Sequence, residues 1–422
     1  VTAGEGSPSA GAPLRVLAVC DHYLPGVKAG GPVRSLAALT RVLAGTVEFA
    51  ILTRDRDLKD AEPYPGIPRD AWTRRDGVEV RYASPAEQTA RGLAAALRSR
   101  EYDVLYLNSL WSRLSRRVLL LRWLGRLPRR PVVLAPRGEL AAGALRIRPG
   151  RKRAFLAAAR AAGLLRGIVW QATSPAELSD VSAQIGPGAV VVLAPNASLP
   201  LSADAVERPP KMPGELRLVF LSRISEKKNL VGALELLREV RGRVTLDIYG
   251  LPDREDYWQR CLRAMEALPA HVRCTWHGWV APDQVSRTLA GYHAFFLPTF
   301  DENFGHAIVE AMRAGCPPII SDRTPWRGLV QARAGWDVPL DQPERMRAAV
   351  EEAVAMDQDT WEAWAAGTRA FAEDRLRAKE AGDAHLRLFR AAAGRDRTGG
   401  TTSRPVQRAG DPAQPPPGDG EI

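Results

Sequence analysis

Glu302 and Glu310 stand eight residues apart, the first in a polar segment after an apolar run, the second in the helix that the next residues predict, with Phe304-Gly305-His306 between them. Gly305 lets a ligand approach the backbone closely, and a helix N-terminus offers unpaired amides and the positive end of its dipole. The set is a polar mouth suited to an anion. A second set, Ser222-Arg223-Ile-Ser-Glu-Lys227-Lys228-Asn229, follows another apolar run. It puts Arg223 and Lys228 in a loop after a strand, where cations in a dry cleft could neutralise a developing negative charge without a metal. A third, Gly30-Gly31-Pro32, supplies unhindered amides at a predicted helix start; it lacks the G-x-G-x-x-G spacing of a dinucleotide fingerprint.

The elements that must hold these groups alternate regularly. Leu14–Cys20 is a short apolar run of buried-strand type, followed by a Gly/Pro turn and a helix over Val33–Leu43 with one apolar face. Strands over 47–53, 78–82, 104–108 and 132–135, interleaved with helices over 90–98 and 118–124, continue the alternation. Near-continuous apolar strands between helices argue for a parallel sheet covered on both faces. A strand over 168–172 leads into Ser174-Pro-Ala-Glu177, read as a capped helix start with the glutamate closing a capping box. After a strand at 190–193 and a polar, proline-bearing stretch, the pattern restarts at Leu216 and runs through strands at 244–249, 272–277, 294–298 and 318–321.

The expected organisation is an N-terminal extension over 1–13 without order and a doubly wound domain over 14–197, then a linker over 198–213. A second doubly wound domain over 214–360 follows, then a helical segment over 361–394 and a Gly/Pro/Arg-rich tail over 395–422 without order. The fold class is α/β, two Rossmann-like domains facing across a cleft walled by strand C-termini and helix N-termini.

Composition narrows the classes. The chain has 422 residues, 45% hydrophobic and 25% charged, which excludes collagen-like and wholly disordered chains and fits two domains. Four scattered cysteines (Cys20, Cys261, Cys274, Cys316) make neither a disulfide framework nor a metal-ligand spacing, and are expected to be buried thiols. The best apolar run, Val118–Leu121, is cut by Arg122, so no spanning segment is expected. The first thirteen residues have no apolar h-region, and a cytoplasmic location is expected.

Glu302 to Glu310 with Phe304-Gly305 between them resembles the Glu-x7-Glu motif of retaining GT-B glycosyltransferases of family 4. The continuation Pro317-Pro-Ile-Ile-Ser-Asp322-Arg-Thr-Pro325-Trp326 is similar to a subgroup from bacterial polysaccharide and glycoconjugate pathways. By pattern the likeness runs from about 14 to 393. It implies that Glu310 holds the ribose hydroxyls of a nucleotide and that Glu302 contacts the donor sugar. Amides around Phe304, Gly305 and His306 would face sugar and phosphate, while Arg223 and Lys228 stabilise the leaving diphosphate. It further implies that the loop at Gly30 and Gly31 approaches the phosphate and acceptor, that His277-Gly278-Trp279 cradles the base, and that the helix over 361–393 crosses back to brace the first domain. Many members carry a donor-contacting His where this chain reads Pro136-Arg137-Gly138; Arg137 would take part of that role or bind acceptor.

The activity so implied is metal-independent transfer of a hexosyl-type sugar from a UDP- or GDP-linked donor to a glycan or lipid-linked hydroxyl, with no cofactor. Two alternatives stand beside it: a nucleotide-sugar-binding or membrane-docking protein without turnover, and a GT-B sugar-nucleotide epimerase. Net charge is +11, and between Val104 and Gly167 fifteen basic residues are opposed only by Glu139. Within that stretch, Arg146–Arg166 with Phe155, Leu156, Leu164 and Leu165 reads as an amphipathic basic helix, able to rest on an anionic membrane at the inner face of the cell or to be a solvated face. Nucleic acid is not expected as a partner, because no recognisable module accompanies the charge.

Overall fold

The computed structural model describes residues 13–145, 149–198, 208–376 and 378–394. The N-terminal extension but for Pro13, most of the linker (199–207), Arg146 and Arg148 of the basic segment, and the tail over 395–422 lie outside the described residues. The chain divides into two compact units, one of residues 1–196 with 380–422 and the other of 197–379.

The first unit is built from β1 (Leu14–Val19), α1 (Gly31–Val42), β2 (Val47–Arg54), β3 (Trp72–Arg75), β4 (Val78–Ala83), α2 (Ala90–Arg98) and β5 (Val104–Asn108). It continues with α3 (Arg113–Trp123), β6 (Val132–Ala135), α4 (Ala142–Leu145), α5 (Pro149–Ala161), β7 (Ile168–Ala172), α6 (Pro175–Ile185) and β8 (Val190–Leu193). The sheet order is β3-β4-β2-β1-β5-β6-β7-β8, with a topological switch point between β1 and β5. Every pair is parallel except β3 with β4. That antiparallel edge hairpin was missed in the sequence. Its turn is Asp76-Gly77, both at positive φ (47° and 81°), the residue pair that a tight hairpin favours.

The second unit holds β9 (Glu215–Leu221), a 3-10 turn at Glu226–Lys228, α7 (Leu230–Leu237), β10 (Arg243–Tyr249), α8 (Glu255–Glu266), β11 (Val272–Gly278), α9 (Val285–Ala290) and β12 (Ala294–Leu297). It closes with α10 (His306–Arg313), β13 (Pro318–Ser321), β14 (Trp336–Val338), α11 (Pro343–Ala355) and α12 (Gln358–Arg375). Its six strands are all parallel in the order β11-β10-β9-β12-β13-β14, the Rossmann order with the switch point between β9 and β12. Strands β12 and β13 are buried along their whole length, which is why they read as unbroken apolar runs. The edge strand β14 and helix α11 were not read from the sequence.

The helix expected over 361–393 is two helices. The first, α12, belongs to the second unit, where Trp361 and Trp364 join the core and Trp364 stacks on Trp336 at 4.2 Å. The second, α13 (Ala378–Ala392), lies almost wholly in the first unit, where Phe389 packs edge-on against Tyr106 and Phe49. Gly382 fits there because a Cβ would come within 2.6 Å of Val42. Three thiols are buried (Cys20, Cys261, Cys316), and Cys274 is half-buried.

Two buried histidines are locked neutral. His385 Nδ1 donates to the Ala381 carbonyl (2.8 Å), so its Nε2 accepts from Gln171 (3.0 Å). His293 Nδ1 accepts from the Arg217 amide (3.1 Å) while Nε2 donates to the Pro210 carbonyl (3.1 Å). Burial pushes both down to about 4. An unfolded chain would take up these protons below about pH 6.5 and the folded one would refuse them, so both histidines withdraw stability as pH falls from 6.5 towards 4, by about 3 kcal/mol each at most. The expected result in NMR is that the imidazole resonances of His293 and His385 stay unshifted from neutral pH down to about pH 5; movement of either over that range would contradict the assignment.

Candidate functional site

In the second unit the loops after β9 and β12 flank the switch point, and the motif residues sit on them. The loops are stitched at one carbonyl: Lys227 O accepts from the Phe300 amide (2.9 Å) and from the Thr299 hydroxyl (2.9 Å). Ser321 Oγ donates to Thr299 O (2.5 Å), tying in the end of β13. Lys227 Nζ meets Asp301 at 2.7 Å, and Lys228 Nζ forms an ion pair with Glu302. The Lys228 and Glu302 side chains are 14% and 15% exposed, so their pairing is desolvated well beyond that of a surface salt bridge. Lys228 ends the 3-10 turn, and the next residue, Asn229, takes the left-handed conformation (φ 56°) and donates to Pro298 O at 3.0 Å. The turn therefore aims Lys228 back at the β12 loop.

Gly305 opens α10 in the left-handed region (φ 76°, ψ 62°), and no side chain caps the helix. A Cβ there would come within 2.8 Å of Ile308 and 3.1 Å of Glu302, so glycine is required by conformation and by space. His306 and Glu310 are one turn apart on the half-buried face, while Ile308, Val309, Ala311 and Met312 pin the other face into the core. Phe304 is a wedge: its ring packs edge-on against Trp326 and His306, and its carbonyl accepts from the Trp326 indole at 2.5 Å. The Glu302 amide is fixed by Arg323 O at 2.8 Å. Arg223 lies on the same loop as Lys228 but is exposed, with no ion-pair partner among the described residues.

Gly278 and Trp279 sit at the sheet edge, at the end of β11 and two strands from the switch point. A backbone relay connects them to it. Gly250 donates to Gly278 O (2.7 Å), and its α-carbon lies so close to Ser222 O that a Cβ would overlap that oxygen. With φ at 142°, Gly250→Ala is expected to destabilise the second unit by about 3 kcal/mol or more, read as a shift in its urea midpoint; an unchanged midpoint would mean the two loops do not meet this way. His277, the last residue of the strand expected over 272–277, is the penultimate residue of β11. It bonds Asp247 at 2.9 Å and stacks on Tyr249 at 4.8 Å. Tyr292 donates to Asp247 (2.8 Å) and shares a 3.0 Å bond with Tyr249, and burial raises its pKa. This quartet, in which Tyr292 is buried and His277 exposed, was not seen in the sequence, because its members are spread over forty-six positions.

The first unit's motif residues also lie at its switch point. Gly30 is the N-cap of α1 at φ 72°, ψ −124°, a conformation open to glycine, whereas Gly31 is an ordinary helical residue beside Pro32. Asp57, buried, accepts from the amides of Val27 (2.8 Å) and Lys28 (3.1 Å) and so holds the glycine loop. Asp21 at the end of β1 accepts from Ser112 Oγ (2.7 Å) and so joins the loops after β1 and β5.

Arg137 is engaged internally. Its guanidinium donates to Asn108 Oδ1 (2.6 and 3.2 Å), to Asn196 Oδ1 (2.6 Å) and to Tyr106 Oη (3.2 Å). From there a directed chain runs through Tyr106 to Gln171 (2.6 Å) and on to His385 (3.0 Å), clamping α13 to the sheet. Glu177 does not close the capping box; Ser174 caps α6 as expected, but Glu177 accepts from the amides of Thr173 (2.8 Å) and Gly138 (2.5 Å) and so fixes the Arg137 loop. Glu139, pushed up to about 7 by burial, still receives Ser109 Oγ (2.5 Å) and the amides of Leu110 and Trp111.

Two parallel-sheet units of this kind define the GT-B fold, and the comparisons agree. Residues 204–371 match the family model of glycosyl transferases group 1. Sucrose-phosphate synthase from Thermosynechococcus elongatus is similar over 90% of this chain and 98% of its own, at 17% identity and a TM-score of 0.67. HepE of Anabaena, solved with UDP-glucose, covers 90% of this chain and 100% of its own at 16% identity and a TM-score of 0.64. The UDP-forming trehalose-phosphate synthase of Burkholderia vietnamiensis covers 92% and 99% at 12% identity and 0.65. No curated protein matches the chain by sequence. Among the described residues no helix is long and apolar enough to cross a membrane.

Proposed function

We propose that this protein is a retaining glycosyltransferase that moves a hexosyl-type sugar from a UDP- or GDP-linked donor to the hydroxyl of a glycan or lipid-linked acceptor, in polysaccharide or glycoconjugate synthesis. The observation that carries the reading is the Lys228–Glu302 pair at the switch point of the second sheet, beside an α10 that opens on an uncapped glycine and carries Glu310 one turn in. A nucleotide laid along this edge would meet amides and cations at its diphosphate, with Glu310 for its ribose.

Lys228 and Arg223 supply the positive charge that a departing diphosphate requires, which is the basis for proposing transfer without a metal. Glu302, fixed through its amide and paired with Lys228, orients the donor sugar. In the step itself the acceptor oxygen bonds to the anomeric carbon on the face that the phosphate leaves. The hydroxyl proton passes to the leaving phosphate oxygen, and the chain need supply no base. The test is incubation of purified protein with a panel of UDP- and GDP-sugars, hydroxyl acceptors and EDTA, followed by NMR of the product. The expected result is nucleoside diphosphate released in step with a glycoside of the donor's own anomeric configuration. An inverted product would overturn retention, and an isomerised nucleotide sugar formed without acceptor would identify an epimerase.

A further inference from the structure

The basic helix of the first unit does not present its apolar residues outward. Leu156 and Leu165 are buried, and Phe155 packs on Trp111 with ring centroids 5.4 Å apart. The exposed apolar residues lie instead at the end of α3. Leu120 lies four residues after Arg116, and Trp123 and Leu124 lie three and four residues after Leu120, so all four share a face. Leu120, Trp123 and Leu124 are 47%, 51% and 52% exposed, three large apolar side chains within five residues. The Trp123 indole N–H donates to Ala162 O at 2.8 Å, so the ring is held in place and its exposed part is hydrocarbon with no donor left to satisfy. Arg122 binds Arg166 O at 3.0 Å and fixes the same junction to the segment after α5.

Arg116, Arg126 and Arg166 are exposed around this cluster, and none has an ion-pair partner among the described residues. The only acid between Val104 and Gly167 is Glu139, whose carboxylate is already taken by Ser109, Leu110 and Trp111. Helices of a parallel α/β sheet run against the strands, so the end of α3 lies at the opposite edge of the sheet from Gly30 and Asp21. The patch is therefore not part of the switch-point machinery.

We propose that Leu120, Trp123 and Leu124 insert into the surface of an anionic lipid bilayer, with Arg116, Arg126 and Arg166 on its headgroups. An apolar cluster ringed by unpaired cations matches such a surface in both chemistries. A second copy of the chain would bring the same cations against these, and a nucleic acid would find one aromatic ring and two leucines with nothing to offer a base. The inference does not depend on the glycosyltransferase reading, since it concerns a surface that needs no nucleotide.

The experiment is co-sedimentation of the full chain with vesicles of phosphatidylcholine, alone and mixed with phosphatidylglycerol, at low and high salt. Binding is expected with the anionic vesicles only and is expected to weaken in salt. The double variant Leu120→Gln/Leu124→Gln, which keeps the Trp123 hydrogen bond, and the triple variant Arg116→Gln/Arg126→Gln/Arg166→Gln should each lower partitioning about tenfold or more while nucleotide binding and the thermal midpoint stay unchanged. Failure of the wild-type chain to bind anionic vesicles would overturn the proposal, and so would equal binding by the leucine variant. A wild-type dimer that the leucine variant turns into a monomer would also overturn it, in favour of self-association.

Discussion

Lys228→Ala is expected to lower sugar transfer by about two to three orders of magnitude, with most of the loss in kcat and a smaller part in weaker donor binding. The ammonium is held in the site by a turn that ends on a left-handed Asn229 and by the Glu302 carboxylate, so it is in place before any donor arrives. Such a preset charge stabilises the leaving group most where negative charge grows most, in the transition state. Alanine also leaves a half-buried Glu302 carboxylate facing the diphosphate without its counter-charge, and that repulsion adds to the loss. The double variant Lys228→Ala/Glu302→Gln separates the two contributions: donor binding should recover in it while turnover stays low. Steady-state transfer assays on both variants decide the matter, and near-normal kcat in Lys228→Ala would remove Lys228 from the chemistry.

The second large effect is expected at the other end of the motif. Glu310→Ala should weaken binding of the nucleoside diphosphate about a hundredfold, the loss expected when hydrogen bonds from two vicinal hydroxyls to one carboxylate go together. The helix itself should survive, because its core contacts are made by Ile308, Val309, Ala311 and Met312 and Glu310 lies on the other face. Calorimetric titration alongside thermal unfolding separates binding from folding. Unchanged affinity in a fully folded variant would show that the ribose is held elsewhere.

The second sheet and the placement of the motif residues on it were largely legible because the signals were local: apolar runs for the strands, a Gly before an amphipathic helix for α10, and a cationic loop directly after β9. What the sequence hid depended on partners far apart in the chain. Arg137 looked like a ligand-facing group in a loop after a strand. Only the fold shows Asn108, Asn196 and Tyr106 converging on it. Glu177 sat at the spacing of a capping box, yet two amides outside the helix, one of them thirty-nine residues away, compete better for its carboxylate. The quartet of Asp247, Tyr249, His277 and Tyr292 is assembled by sheet register and by the return from α9, neither of which leaves a pattern along the chain. The β3–β4 hairpin is a different case, since Asp76-Gly77 was a readable turn signal. The apolar face of α3 was readable too, but an exposed Trp123 differs from a buried one in sequence only by what packs around it.

The central claim, that the switch point of the second sheet binds a nucleoside diphosphate, is tested most directly by titrating the wild-type protein with UDP and with GDP in a calorimeter in the presence of EDTA. Binding of one of the two with a Kd in the micromolar range, about −8 kcal/mol, is the expected result. No heat from either, in protein shown to be folded, would contradict the account.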